Sequence, residues 1–250
     1  MPIYYDNTDL SAVEKQKFAL GALSLGITTG YLFYDSIAAG IFIALCCGFY
    51  LPQYKKRLRE KKKSQLLMQF RDLLYSISSS VSAGRTVAQA LEESVDFWKA
   101  TYEDSDYIMR ELAYMNGRIK KGGEKDMDVL ADFAERSGLE DISDFVNVYE
   151  SCRMTGGNLP QAINRATAII GDKITMEREL KTLMAQKIFE SRIVAFAPFA
   201  IILILKIMSP DYLEPITTTR GGRAIATFAL GLMGAAFFMM ERINRNEIQT

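Results

Sequence analysis

Histidine is absent from all 250 residues. Its absence removes the most usual general base at neutral pH, the commonest nitrogen ligand of metals, and every Ser-His-Asp or Cys-His arrangement. Cysteine is scarce: Cys46 and Cys47 are adjacent in an apolar stretch and Cys152 stands alone. That spacing supplies neither a disulfide framework nor a metal site, so we read all three as small apolar residues. The phosphate-cradling patterns G-x-x-x-x-G-K-[ST] and G-x-G-x-x-G do not occur, so nucleotide hydrolysis must come from a partner. No cofactor, no resident metal and no catalytic role are expected.

What the chain has in quantity is apolar length, in two pairs. Phe18 to Phe33 and Ile37 to Leu51 are separated only by Tyr34, Asp35 and Ser36, and Ile193 to Met208 is followed by Ala224 to Met240. Runs of this size reach roughly 25 Å as helix, against a hydrocarbon core of about 30 Å. Tyr31, Tyr34, Tyr50, Tyr54 and Tyr212 stand at the run ends, where amphipathic rings prefer the headgroup layer. Between the pairs comes a basic run, Lys55, Lys56, Arg57, Arg59, Lys61, Lys62 and Lys63, interrupted only by Glu60. Such a run marks the cytoplasmic side of a membrane. Lys15 and Lys17 precede the first apolar run and Arg242 and Arg245 follow the last, which puts both termini inside as well. The first run leads straight into the second without an A-x-A-like cleavage site, so this pair is expected to remain in the mature protein.

The expected architecture is an all-α membrane protein of the inner or plasma membrane, with a cytoplasmic six-helix bundle flanked by two transmembrane hairpins. Its parts are an N-terminal segment at 1–17, a hairpin at 18–54, the basic juxtamembrane run at 55–63, the helical domain at 64–190, a second hairpin at 191–241 and a tail at 242–250. The net charge of zero conceals a pattern. Residues 1–63 hold nine basic and five acidic groups, 64–190 hold 15 and 21, and 191–250 hold six and four. The middle domain has the wrong sign for neutralising phosphates, which argues against nucleic acid as a partner. An acidic domain stands off an anionic leaflet and suits a basic protein; a plain solvated face explains the same charge.

Within the domain, apolar residues recur at helical intervals. Leu66, Phe70, Leu73, Ile77 and Val81 make one stripe, Ile108, Leu112, Met115 and Ile119 a second, and Leu159, Ile163, Ala166, Ile170 and Ile174 a third. Shorter stripes at Val87 to Leu91, Met127 to Phe133 and Ile142 to Tyr149 fill the gaps. The breaks carry cap chemistry. Gly84 permits a left-handed helix stop, and Thr86 stands three residues before Gln89 in the spacing of a capping box. Gly122 and Gly123 make another break. Gly156 and Gly157 end a helix, Asn158 can cap the next, and Pro160 falls in its first turn, where a missing N–H is tolerated.

The junctions Ala83 to Leu91 (A-G-x-x-x-x-x-A-L) and Gly156 to Leu159 (G-G-N-L), together with the S-P-D-Y run from Ser209 to Tyr212, resemble the type II secretion F domain family. The likeness is to the single-domain form of the TadB and TadC components of tight-adherence pili, over about residues 66–240. It implies an inner-membrane assembly platform whose partners are a secretion or pilus ATPase, a sister F-domain membrane protein, pilin subunits and the lipid bilayer. It also implies a homo- or hetero-oligomer. Glu92, Glu93 and Asp96 are the candidate residues facing the ATPase. If the helix beginning at Asn158 continues through Met184 into the third apolar run, it would move the spans as a coupling rod; a fixed tether is the alternative. Pro198 is expected to bend that run, and Lys206 to extend its ammonium toward the headgroups.

Two alternatives come from the same residues. Asp128 and Asp132, four apart on one helical face, suit either a divalent cation or water, and water is the simpler choice. A membrane sensor or transporter accessory subunit would also carry a cytoplasmic bundle. The expected outside loops, Tyr34 to Ser36 and Ser209 to Gly222, are too small for a folded ligand-binding domain, which favours the platform.

Overall fold

The computed structural model describes Tyr5 and residues 12–48, 51–209, 213–215 and 218–249, and among these there is no strand. The helices are α1 (Ala12–Tyr34), α2 (Ile37–Cys47), α3 (Leu51–Ser82), α4 (Val87–Trp98), α5 (Tyr107–Gly122), α6 (Asp126–Ser137), α7 (Glu140–Thr155), α8 (Leu159–Met208) and α9 (Arg220–Gln249). Tyr50, Pro210, Asp211 and Tyr212 lie outside the described residues, as do the side chains of Cys46, Cys47, Arg220, Arg242 and Arg245. The chain divides into two compact units, Met1–Asp9 with Tyr54–Met176, and Leu10–Gln53 with Glu177–Thr250.

In the first unit the apolar stripes become one core shared by α3 to α7 and the beginning of α8. Leu66, Phe70, Leu73 and Ile77 of α3 are buried at helical spacing, and Ile163, Ile170 and Ile174 of α8 close the core. The Phe70 ring meets Phe133 at 5.8 Å and Phe145 at 5.6 Å, the second nearly edge-on. Burying a ring of this size stabilises the fold by about 1.5–3 kcal/mol. The basic run is no separate segment: Lys55 to Lys63 lie inside α3, ahead of its buried residues. Lys63 Nζ donates to the Gly138 carbonyl at 2.8 Å and so satisfies a group exposed where α6 ends.

Helix ends are set by local chemistry. Gly84 stands at φ +88° and Gly156 at φ +70°, the left-handed region where a side chain would be strained, and α7 stops at the second of them. Thr86 Oγ1 accepts from Gln89 N at 3.3 Å while Gln89 Oε1 accepts from Thr86 N at 3.0 Å, a reciprocal capping box at the start of α4. Asn158 Oδ1 accepts from Gln161 N at 3.2 Å at the start of α8. The start of α5 is served from elsewhere: Gln69, buried in α3, accepts from Ile108 N at 3.1 Å. That tertiary cap leaves no trace in the local sequence.

In the second unit α1 and α2 approach through glycine. A Cβ on Gly30 would lie 2.2 Å from Gly40 N, and one on Gly26 would lie 2.6 Å from Gly40 O. Small residues let two helix backbones touch in this way, as they do in lipid. Leu32, Phe33 and Ala226 form a small buried cluster against Phe199, Ile202, Leu230 and Met233. Among the described residues only α8 is both long and apolar enough to cross a membrane, and its apolar 18-residue window is entirely unburied. Its exposed members include Ile193, Val194, Phe196, Ile201 and Ile204. α1 has the length, 23 residues, but is diluted by Gly21, Ser24, Gly26, Thr28, Thr29 and Gly30, and α2 has 11 residues.

Lys206 finds its partners within the second unit. Its Nζ donates to Asp35 Oδ1 and to the Tyr31 carbonyl, both at 2.7 Å, and sits 4.0 Å above the Tyr31 ring. Asp35, at φ +49° just after α1, presents its carboxylate to that ammonium, and a fixed counter-ion so close outweighs partial hydration. Pro198 lies inside α8, which is helical on both sides of it.

Candidate functional site

The acidic face expected from sequence lies on the outer side of α4, whose inner side is fixed by Val87, Ala90, Leu91 and Ser94. None of its three carboxylates is unpaired. Glu92 meets Lys120 of α5 at 2.5 Å, Glu93 meets Arg85 at 3.3 Å and accepts from Ser80 Oγ at 2.9 Å, and Asp96 meets Lys99 at 2.8 Å. The hydrogen bond from Lys99 holds the Asp96 carboxyl below the usual carboxylate range. These pairs are solvent-exposed, so they add little to stability and exchange readily with an incoming partner.

Beside Glu93 runs a cleft of about 330 Å³ between α3 and α4, lined by Tyr75, Ser76, Ser79, Ser80, Glu93, Ser94 and Phe97. Its floor is polar and satisfied from within. Ser76 and Ser94 share a hydrogen bond at 2.8 Å, Ser94 donates to the Ala90 carbonyl at 2.7 Å, and Trp98 Nε1 donates to Ser76 at 3.2 Å. Its walls are aromatic and open: Tyr75 is 67% exposed and Phe97 61%. Phe97 is held edge-on against Trp98 at 5.0 Å, and Trp98 packs in turn on Tyr102.

A second constellation is buried. Arg136 of α6 and Glu111 of α5, with side chains 2% exposed, form a two-point pair at 2.9 and 2.8 Å. Arg136 Nε also donates to Asp132 at 2.8 Å, its guanidinium lies over the Tyr114 ring, and Asp132 is shared with Arg118, which binds Glu124. Tyr5 donates its hydroxyl to Glu111 at 3.2 Å and its backbone N–H to the Arg136 carbonyl at 3.1 Å. Asp132 therefore faces two arginines, which removes it from the cation site considered with Asp128. Among the described residues no cluster of three metal-ligating side chains exists. The arrangement does structural work, holding α5, α6 and Tyr5 together.

The two glycine junctions differ in setting. The first, with Gly84, Thr86 and Gln89, adjoins the cleft through Arg85; the second, with Gly156, Gly157 and Asn158, turns the chain from α7 into α8. The cleft itself was not anticipated, because its walls come from two helices and no pairing of Tyr75 with Phe97 is visible in one dimension. Glu111 and Arg136 carried a signal: each stands three residues after a stripe member, Ile108 and Phe133, and so on a buried face.

Taken together these features define a class: an all-helical protein with an acidic helical unit and a long helix that also supplies an unburied apolar span. Its surface chemistry is that of binding. Residues 73–206 match the family model described as Type II secretion system (T2SS), protein F, and the chain belongs to that family. Members are non-catalytic components of the inner-membrane machinery of type II secretion and type IV pili, and they work with secretion ATPases and other F-domain proteins. No curated protein and no solved structure matched the chain.

Proposed function

We propose that this chain is the assembly platform of a Tad-like pilus or type II secretion machine, with its acidic helical unit receiving a cytoplasmic ATPase and its membrane helices acting on pilin subunits. The observation that carries the reading is α8. It starts in the core of the first unit at Leu159 and is still helical at Met208, past the unburied apolar window. An unbroken helix transmits displacement along its axis, because each turn is bonded to the next. The family match supplies the machinery, and the excess of carboxylates over 64–190 suits a basic partner surface. The four-span topology, with both termini in the cytoplasm, follows from the paired apolar runs and from Lys55, Lys56, Arg57, Arg59, Lys61, Lys62 and Lys63.

Purification of the tagged chain from its own cells in mild detergent tests the reading. Retention of a hexameric secretion ATPase and of a second F-domain protein is expected. Retention of a histidine kinase or a transport subunit instead would establish the sensor or accessory alternative.

A further inference from the structure

The cleft between α3 and α4 has a chemistry more specific than the acidity around it. Two aromatic rings, Tyr75 of α3 and Phe97 of α4, line it and stand exposed, a state that costs hydrophobic free energy until something covers them. Between them is a polar floor whose hydroxyls already satisfy one another, so an occupant owes that floor no hydrogen bond. At the rim is one carboxylate, Glu93, whose present partner Arg85 is 58% exposed and 3.3 Å away. Glu92 and Asp96 on the same helix are each matched by a lysine, so Glu93 is the carboxylate the cleft itself offers.

A flat cation that stacks on an exposed ring and forks onto a carboxylate satisfies all three conditions. Arginine is the side chain with those properties: its guanidinium is planar, weakly hydrated, stacks on aromatic faces and binds carboxylates at two points. Lysine offers a compact, strongly hydrated charge and stacks less well. A phosphate or nucleotide would meet Glu93 with the wrong sign. The space, about 330 Å³, admits a long side chain and not a folded ligand.

We infer that the Tyr75–Phe97 cleft is the docking pocket for an arginine projecting from the cytoplasmic ATPase, with Glu93 exchanging its internal partner Arg85 for the incoming guanidinium. The inference rests on the platform reading and assigns that reading's contact to one site. Arg85 acts as the placeholder: it holds the carboxylate in position while the pocket is empty, and its exposure makes the exchange inexpensive.

Trp98 is the only tryptophan in the chain and touches Phe97, which makes the pocket its own fluorescent reporter. The full-length chain in nanodiscs is titrated with N-acetylarginine amide, N-acetyllysine amide and N-acetylcitrulline amide. A saturable change in Trp98 emission with the arginine compound, several-fold weaker with lysine and lost with citrulline, is expected. Tyr75→Ala and Glu93→Gln should abolish it while leaving the far-ultraviolet circular dichroism unchanged. In parallel, ATPase binding by the same nanodiscs should fall by more than about tenfold in Tyr75→Ala, Phe97→Ala and Glu93→Gln.

Absence of a saturable arginine response, or ATPase binding unchanged in all three variants, overturns the pocket while the platform stands. Loss of self-association in those variants with ATPase binding intact also overturns it, and reassigns the cleft to a second copy of the chain. If the unaltered chain binds no secretion ATPase, the platform reading falls as well.

Discussion

Glu111 and Arg136 show what one buried pair demands. Taking two charges out of water is expensive, and the expense is met here by a two-point contact, Asp132 on the remaining guanidinium nitrogen and the Tyr5 hydroxyl on the carboxylate. Removing one partner strands the other. Arg136→Met or Glu111→Leu should each lower the unfolding free energy by about 3–5 kcal/mol, whereas the double variant should recover most of that loss. Denaturant melts of the four proteins check it, and additive losses would show that the pair is not a unit. Tyrosines give a second residue-scale test. Burial, followed by the hydrogen bond to Asp126 at 2.6 Å, raises the Tyr149 phenol above its ordinary value of 10.0, and burial beside Glu111 raises Tyr5 likewise. The folded state therefore keeps these protons when the unfolded chain releases them. Stability from both is complete below pH 10 and is lost as the pH climbs above it. Thermal melts from pH 8 to 11 should show that decline, and Tyr149→Phe should flatten it.

Helices were legible where they depend on periodicity and obscure where they depend on neighbours. The stripes from Leu66 to Ile77 and from Ile108 to Met115 fix which faces are buried, because side chains three and four apart share a face. The T-x-x-Q pattern at Thr86 specified its cap because both partners lie within one turn. Asp106, a good cap residue by type, does not cap α5; buried Gln69 from α3 does so, and 39 residues of separation hide it. The glycines of α1 carry no signal in one dimension, because their role depends on α2 lying against them. Gly30→Leu should separate α1 from α2, since its first side-chain carbon would meet Gly40 N at 2.2 Å and backbone cannot yield as a flexible chain end can. Spin labels placed one on each helix should report a short α1–α2 separation in the parent background that lengthens in Gly30→Leu. Gly21→Leu, which meets nothing within 4 Å, is the control that should leave it unchanged.

At the scale of the whole molecule, the division into an acidic helical part and apolar flanks could be read from charge and hydropathy because both are bulk properties of long segments. The continuity of α8 could not be secured that way: charges crowd between Ile174 and Ile188, and nothing in composition says whether such a stretch is helix or linker. The structure makes it helix, with Leu180 and Leu183 exposed. A coupling rod and a fixed tether then differ in what a break in this helix would do. Leu183→Pro removes a backbone donor and sets its ring against the preceding turn, at about 3 kcal/mol or more, without taking any side chain out of a core. Leu183→Ala, at the same exposed site, preserves the helix. If α8 transmits motion, Leu183→Pro should leave the protein in the membrane and the ATPase bound, yet reduce surface filaments or secreted substrate at least tenfold, with Leu183→Ala near the parent level. If filament counts survive the proline, α8 only anchors the acidic unit, and coupling must pass through a different helix.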